Sequence, residues 1–163
     1  MLKIGIIHGP NLNRLGERKE KCYGTLTLEE INERLEEFAR QRDIQLEITQ
    51  TNHEGEIVDT IQSFSRRVNG IVINPGAYTH YSFAIRDALE DCSLPIIEVH
   101  ISNVFSREQF RTSSVTAPAC TGQIVGFGYL GYILAIEGLQ NIINKEKMTY
   151  KVKVKEFCCE GGE

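Results

Sequence analysis

Residues 44–74 read IQLEITQTNHEGEIVDTIQSFSRRVNGIVIN. Two periods alternate within this stretch. Ile44, Leu46 and Ile48 recur every second residue, the mark of a half-buried strand. Ile57, Ile61, Phe64 and Val68 then fall on one helical stripe, and GIVIN follows as a short apolar run fit for a fully buried strand. Strand, helix, strand in about thirty residues is a crossover unit, which joins parallel neighbours in a sheet.

The same alternation extends in both directions. Upstream lie the strand LKIGIIH and the helix TLEEINERLEEFARQR, in which Leu28, Ile31, Leu35 and Phe38 share a face. Thr27 with Glu30 forms a capping box, and Leu26 with Ile31 is placed as a hydrophobic staple. Downstream come the helix YSFAIRDALED, the strand LPIIEVHIS, the strand CTGQIVGFG and the helix YLGYILAIEGLQNIIN. This order predicts an α/β chain with a parallel sheet covered on both faces. The segment from Lys145 differs in composition, and its short alternation from Tyr150 to Val154 is expected to form an edge strand. We therefore divide the chain into one domain over 1–144 and a charged extension over 145–163.

Bulk properties narrow the function classes. The chain has 163 residues, 41% hydrophobic and 25% charged, an ordinary globular balance. A net charge of −4 with no dominant basic face argues against nucleic acid. No apolar run is long enough for a bilayer, and no signal-peptide pattern opens the chain. Five cysteines, odd in number and scattered, fit reduced thiols and a cytoplasmic location.

In an open parallel sheet, ligands bind outside the carboxyl ends of the strands. The segments that follow the strands are HGPNLNRLGERKEKCYG, TNHEGE, NPGAYTH and EVHISNVFSREQFR. All are rich in Asn, His, Arg or Tyr. The first runs far beyond the two to six residues of an ordinary strand-to-helix connection. Taken singly, each polar residue has a plain structural reading: Asn11 and Asn52 as turn or cap residues, Arg18, Arg107 and Arg111 as surface charges, His80 as a cap neighbour. Glu98 and His100 stand two apart at a strand end and so point to one side. A carboxylate there fixes the imidazole tautomer and raises its basicity.

The glycines of GFGYLG (126–131), with Glu156 downstream, match a dinucleotide fingerprint in outline. A flavodoxin-like nucleotide- or flavin-binding module is therefore the alternative reading, and a catalytically dead scaffold a further one. The match stands at the end of the chain with no parallel strands beyond it, so close helix–sheet packing is the expected reason for these glycines.

The segments GPNLNRLGERKEKCYG, NHEGEIVD, GIVINPGAYTHYSFAIRDAL, IEVHISNVFSREQFR and GQIVGFGYLGYILAIEGL together resemble the type II 3-dehydroquinate dehydratases. The resemblance covers roughly residues 2–144. It implies a flavodoxin-like, doubly wound five-stranded parallel sheet of order 2-1-3-4-5, a homododecamer built as a tetramer of trimers, no cofactor and no metal. The implied reaction is the reversible dehydration of 3-dehydroquinate to 3-dehydroshikimate in the shikimate pathway.

By position, the resemblance makes Tyr23 the base, Arg18 its activator, His100 the general acid, Glu98 its orienter and Asn11 the holder of a water at the enolate oxygen. It makes Asn74, His80, Asp87, Ile101, Ser102 and Arg111 the substrate-binding set. The chemistry fits these residue types. A tyrosine with its ordinary pKa of roughly 10 is a weak base at neutral pH, and a guanidinium beside it favours the phenolate. The long first loop is then read as a lid that carries Arg18 and Tyr23 together, with Gly16 and Gly24 as hinges. The extension past Asn144 lies outside the resemblance.

Overall fold

Five parallel strands form the sheet, in the order β2-β1-β3-β4-β5. They are β1 (Leu2–His8), β2 (Ile44–Gln50), β3 (Gly70–Asn74), β4 (Ile96–His100) and β5 (Gly122–Val125). The helices are α1 (Leu28–Arg40), α2 (Glu54–Phe64), α3 (Phe83–Glu90) and α4 (Leu130–Cys159). The computed structural model describes residues 1–17 and 24–159, those from 146 onward as backbone only. Arg18 and Tyr23 lie outside the described residues.

Side-chain alternation along the strands divides the core into two layers. Ile4, Ile6, Val72, Ile97 and Val99 pack with Ile31 and Leu35 of α1 and with Tyr132, Ile136 and Leu139 of α4. Ile7, Ile71, Ile73 and Ile96 pack on the opposite face with Ile57, Ile61 and Phe64 of α2 and Ile85 and Leu89 of α3. Gly5 belongs to this second face, and a Cβ there would stand 2.2 Å from the Phe64 ring. The missing side chain is what lets α2 lie close on β1.

Helix α1 starts as its sequence requires. Thr27 Oγ1 accepts from the Glu30 backbone N–H, and the Glu30 carboxylate accepts from the Thr27 N–H at 2.8 Å. Among the described residues, no helix is long and apolar enough to cross a membrane.

The tail departs from expectation. Residues 150–154 are not an edge strand; α4 continues through them to Cys159. Once a helix is nucleated, each added residue is fixed in exchange for one hydrogen bond, and Lys, Glu and Met are good helix formers. Tyr132, Ala135, Ile136, Leu139 and Ile143 already hold the preceding turns in the core. A two-residue alternation over five positions does not outweigh that. The boundary drawn at 144 therefore falls inside a continuous helix.

The strand order reverses direction between β1 and β3. Their last residues, His8 and Asn74, are register partners, and β4 ends beyond them at His100. This switch point is where the crevice of a doubly wound sheet opens.

Candidate active site

The crevice is assembled from the loops that follow β1, β3 and β4. Beyond β1, the Gly9 N–H donates to the Asn74 carbonyl at 2.8 Å, tying the two strand ends together. Asn11 has a left-handed backbone (φ 65°) and its N–H donates to Asn52 Oδ1 at 2.9 Å. Asn52 also accepts from Gln50 Nε2, and its carbonyl accepts from the Tyr78 hydroxyl at 3.0 Å. Asn52 is thus a stitch between three loops. Leu12 and Leu15 anchor the far side of the β1 loop in the core.

After β3, the 3-10 turn Gly76–His80 brings His80 to the rim. Its Nδ1 lies 2.7 Å from the Ser113 carbonyl, so Nδ1 carries hydrogen, and its ring meets Phe110 edge-on at 5.6 Å. After β4, Ser102 Oγ accepts from Arg107 Nη1 at 3.2 Å, and Arg111 Nε donates to Glu108 at 2.6 Å. The glycines of GFGYLG support this loop. The Gly126 and Gly128 N–H groups donate to the carbonyls of His100 and Ile101. Gly126 has φ 90° with Asn103 against it, a position that favours glycine.

The resulting cleft, about 170 Å³, is lined by Asn11, Asn74, His80, His100, Ile101, Ser102, Arg107 and Arg111 among others. Seven residues expected from the sequence meet here. Glu98 stands directly behind His100. Asp87 does not join them: it is exposed on α3 and does not line the cleft. A larger cavity, about 700 Å³, borders α1 but carries Glu17, Glu29, Glu33 and Glu36. Of these two, the smaller cleft, with two arginines and two histidines, is the one suited to an acidic ligand.

Glu98 is fully buried yet surrounded by donors. Oε1 accepts from His100 Nε2 at 2.7 Å, Thr79 Oγ1 at 2.9 Å and Gln123 Nε2 at 2.8 Å. Oε2 accepts from Thr116 Oγ1 at 2.6 Å. Burial pushes the carboxyl pKa upward, but the hydrogen bond and charge of His100, then Thr116 and Thr79, outweigh it and hold it below the ordinary value.

With both threonines donating to Glu98, neither has a proton left for their mutual 2.8 Å contact. Ser114, 2.7 Å away, then supplies Thr79 with its hydrogen. The carboxylate fixes His100 with Nε2 protonated and leaves Nδ1 for the cleft. The unit is an oriented imidazole whose Nδ1 can take a proton from a ligand or, once protonated, give one to it.

Several functional neighbours escaped the sequence. Gln123 is the β5 register partner of Glu98, visible only once the strands are paired. Thr79 and Thr116 come from separate loops. Arg107 reads as a surface charge in sequence but lines the cleft. Tyr132 and His8 carry no motif that marks them in the sequence.

The family model for dehydroquinase class II matches residues 2–140. A 3-dehydroquinate dehydratase from Halalkalibacterium halodurans is 53% identical over 139 residues, 85% of this chain and 96% of that protein. One from Sulfurimonas denitrificans is 48% identical over 155 residues, 95% of this chain and 97% of that protein. The crystal structure of a type II dehydroquinase from Butyrivibrio crossotus superposes with a TM-score of 0.84 at 53% identity, covering 85% of this chain and 97% of that one.

Proposed function

This chain belongs to the dehydroquinase class II family, and from that premise we propose that it catalyses the reversible dehydration of 3-dehydroquinate to 3-dehydroshikimate through an enolate. It is on this reading a hydro-lyase serving the third step of the shikimate pathway, towards chorismate and the aromatic amino acids, in the cytoplasm.

Tyr23, as phenolate beside Arg18, takes a proton from the carbon next to the ketone. The electron pair moves onto the ketone oxygen, where a water held by Asn11 donates a hydrogen bond to the enolate. The enolate then collapses, the carbon–oxygen bond to the leaving hydroxyl breaks, and His100 delivers the proton that makes it water. The backbone amides of Ile101 and Ser102, with the Ser102 hydroxyl, grip the substrate carboxylate. Asn74, His80 and Arg111 contact its oxygens.

The observation that carries this reading is the His100–Glu98 pair. A general acid needs a proton at an atom that faces substrate, and a fixed anion behind it to orient the ring and stabilise its protonated form. The 2.7 Å bond from Nε2 to a buried carboxylate leaves Nδ1 as that atom.

The same reading extends to assembly as a homododecamer, a tetramer of trimers. Asp87 does not line its own chain's cleft, so a substrate contact by Asp87 requires a neighbouring copy. The direct test is an ultraviolet assay of the purified protein with 3-dehydroquinate, whose dehydration product is conjugated and absorbs. Steady product formation is expected; a folded protein with no turnover in either direction contradicts the proposal.

A further inference from the structure

Behind the cleft, a single file of polar groups crosses the core. Asn74 Nδ2 lies 3.0 Å from the Tyr132 hydroxyl, which lies 3.0 Å from His8 Nδ1. His8 Nε2 in turn lies 2.9 Å from Asn32 Oδ1 on α1. Tyr132 and His8 are wholly buried, and Asn74 is 3% exposed. Nothing in the proposed chemistry uses Tyr132 or His8, and an apolar pair would fill the same space without any need for partners.

A backbone amide sets the direction of the chain. Asn74 Oδ1 accepts from the Gly76 N–H at 3.1 Å, and that N–H can only donate. The Asn74 oxygen must therefore face Gly76, and its nitrogen must face Tyr132. The Tyr132 oxygen accepts from Asn74, so its own hydrogen goes to His8 Nδ1. That requires His8 neutral with hydrogen on Nε2, where Asn32 Oδ1 accepts it. Burial favours the same state, pushing the His8 pKa down to about 4 although the bond to Asn32 works the other way. Every proton in the file is accounted for, and one Asn74 N–H remains over. Asn74 lines the cleft.

We propose that Tyr132, backed by His8 and Asn32, is a positioning residue that locks the Asn74 amide so that its remaining N–H is presented to an acceptor oxygen of the bound substrate. This rests on the reading of the cleft as a 3-dehydroquinate site. Without the Tyr132 hydroxyl, the Asn74 nitrogen loses its fixed partner, and the amide can turn away from the ligand. His8 acts one step further back, as the acceptor that orients the hydroxyl.

The test separates this device from general support of the fold. Tyr132→Phe should raise KM for 3-dehydroquinate about tenfold, the scale of one neutral hydrogen bond, with kcat changed less than threefold. His8→Leu should behave likewise. His8→Gln, whose amide can accept from Tyr132 and donate to Asn32, should recover KM to within about threefold of wild type. In an Asn74→Ala background, Tyr132→Phe should raise KM by less than about twofold.

A lowered melting temperature with unchanged KM in Tyr132→Phe overturns the proposal, as does full additivity with Asn74→Ala. A readout independent of activity is the nitrogen-15 NMR spectrum of the wild-type imidazoles. His8 should appear as the neutral tautomer with hydrogen on Nε2; hydrogen on Nδ1 reverses the chain and overturns the proposal even in a variant set that will not fold. A wild-type protein without dehydratase activity but with that tautomer would fail the functional reading and leave the hydrogen-bond file intact.

Discussion

Glu98 and His8 are two ionisable side chains buried at the carboxyl end of one sheet, and burial leaves them in opposite states. Glu98 is ringed by His100, Thr79, Gln123 and Thr116, so its charge is stabilised more than burial penalises it. His8 has one acceptor and one hydroxyl, neither able to stabilise a cation well, so burial prevails and it stays neutral. The difference lies in the partners, donors around an anion against a lack of any anion beside a would-be cation, and not in depth. The first arrangement suits a site that must hold a proton in readiness on His100. The second suits a scaffold whose hydrogen bonds must not change direction across the working pH range.

The strongest way to break this comparison is to remove the charge at Glu98. Glu98→Gln puts an amide nitrogen among donors and should cost about 3 kcal/mol of stability. It should also lower turnover by about a hundredfold, because His100 loses its fixed tautomer and counter-charge. Denaturant unfolding and steady-state kinetics on the same variant check both numbers. A variant as stable as wild type would mean that the donors around Glu98 do not stabilise its charge.

Acid titration sharpens the contrast. An unfolded His8 takes up its proton near 6.5, and the folded one only near 4. Between these values the unfolded chain binds more protons, so stability falls as pH drops, by about 3 kcal/mol in total. Glu98 acts lower: its folded pKa is depressed, so its contribution is full above the ordinary carboxyl range and is lost as pH falls through the folded value. Unfolding free energies between pH 7 and pH 4 should therefore slope downward in wild type. His8→Gln should flatten that slope while the steeper loss at lower pH remains.

The smallest effects are expected from single members of the Glu98 cage. Thr116→Val removes one of four close donors and should cost about 1–2 kcal/mol, with turnover within about threefold of wild type. Thermal melts and the same assay check it; a loss as large as that of Glu98→Gln would mean that the cage has no redundancy.

Much of this was legible in the sequence. The alternation at Ile44–Ile48, the stripe from Ile57 to Phe64 and the Thr27–Glu30 box each rest on local spacing, and the structure keeps each of them. Glu98 and His100 were paired from their two-residue separation alone. Gln123 and Thr116 were not visible, because their role depends on strand register and on where a loop returns. Tyr132 was hidden for another reason: a tyrosine on a helix's apolar stripe reads as core, and only the partners of its hydroxyl distinguish it. The edge strand expected at 150–154 failed because local alternation took no account of the helix already running into it.

The central claim is that proton removal and proton delivery belong to two separate groups, Tyr23 and His100. Exchange of the substrate's acidic proton in deuterium oxide, followed by NMR beside turnover, tests it most directly. On the proposed order of steps, with the enolate formed before water is lost, His100→Ala should still exchange that proton while losing about a thousandfold in turnover. Tyr23→Phe should lose both. Loss of exchange in His100→Ala, or normal exchange in a folded Tyr23→Phe, would contradict the account.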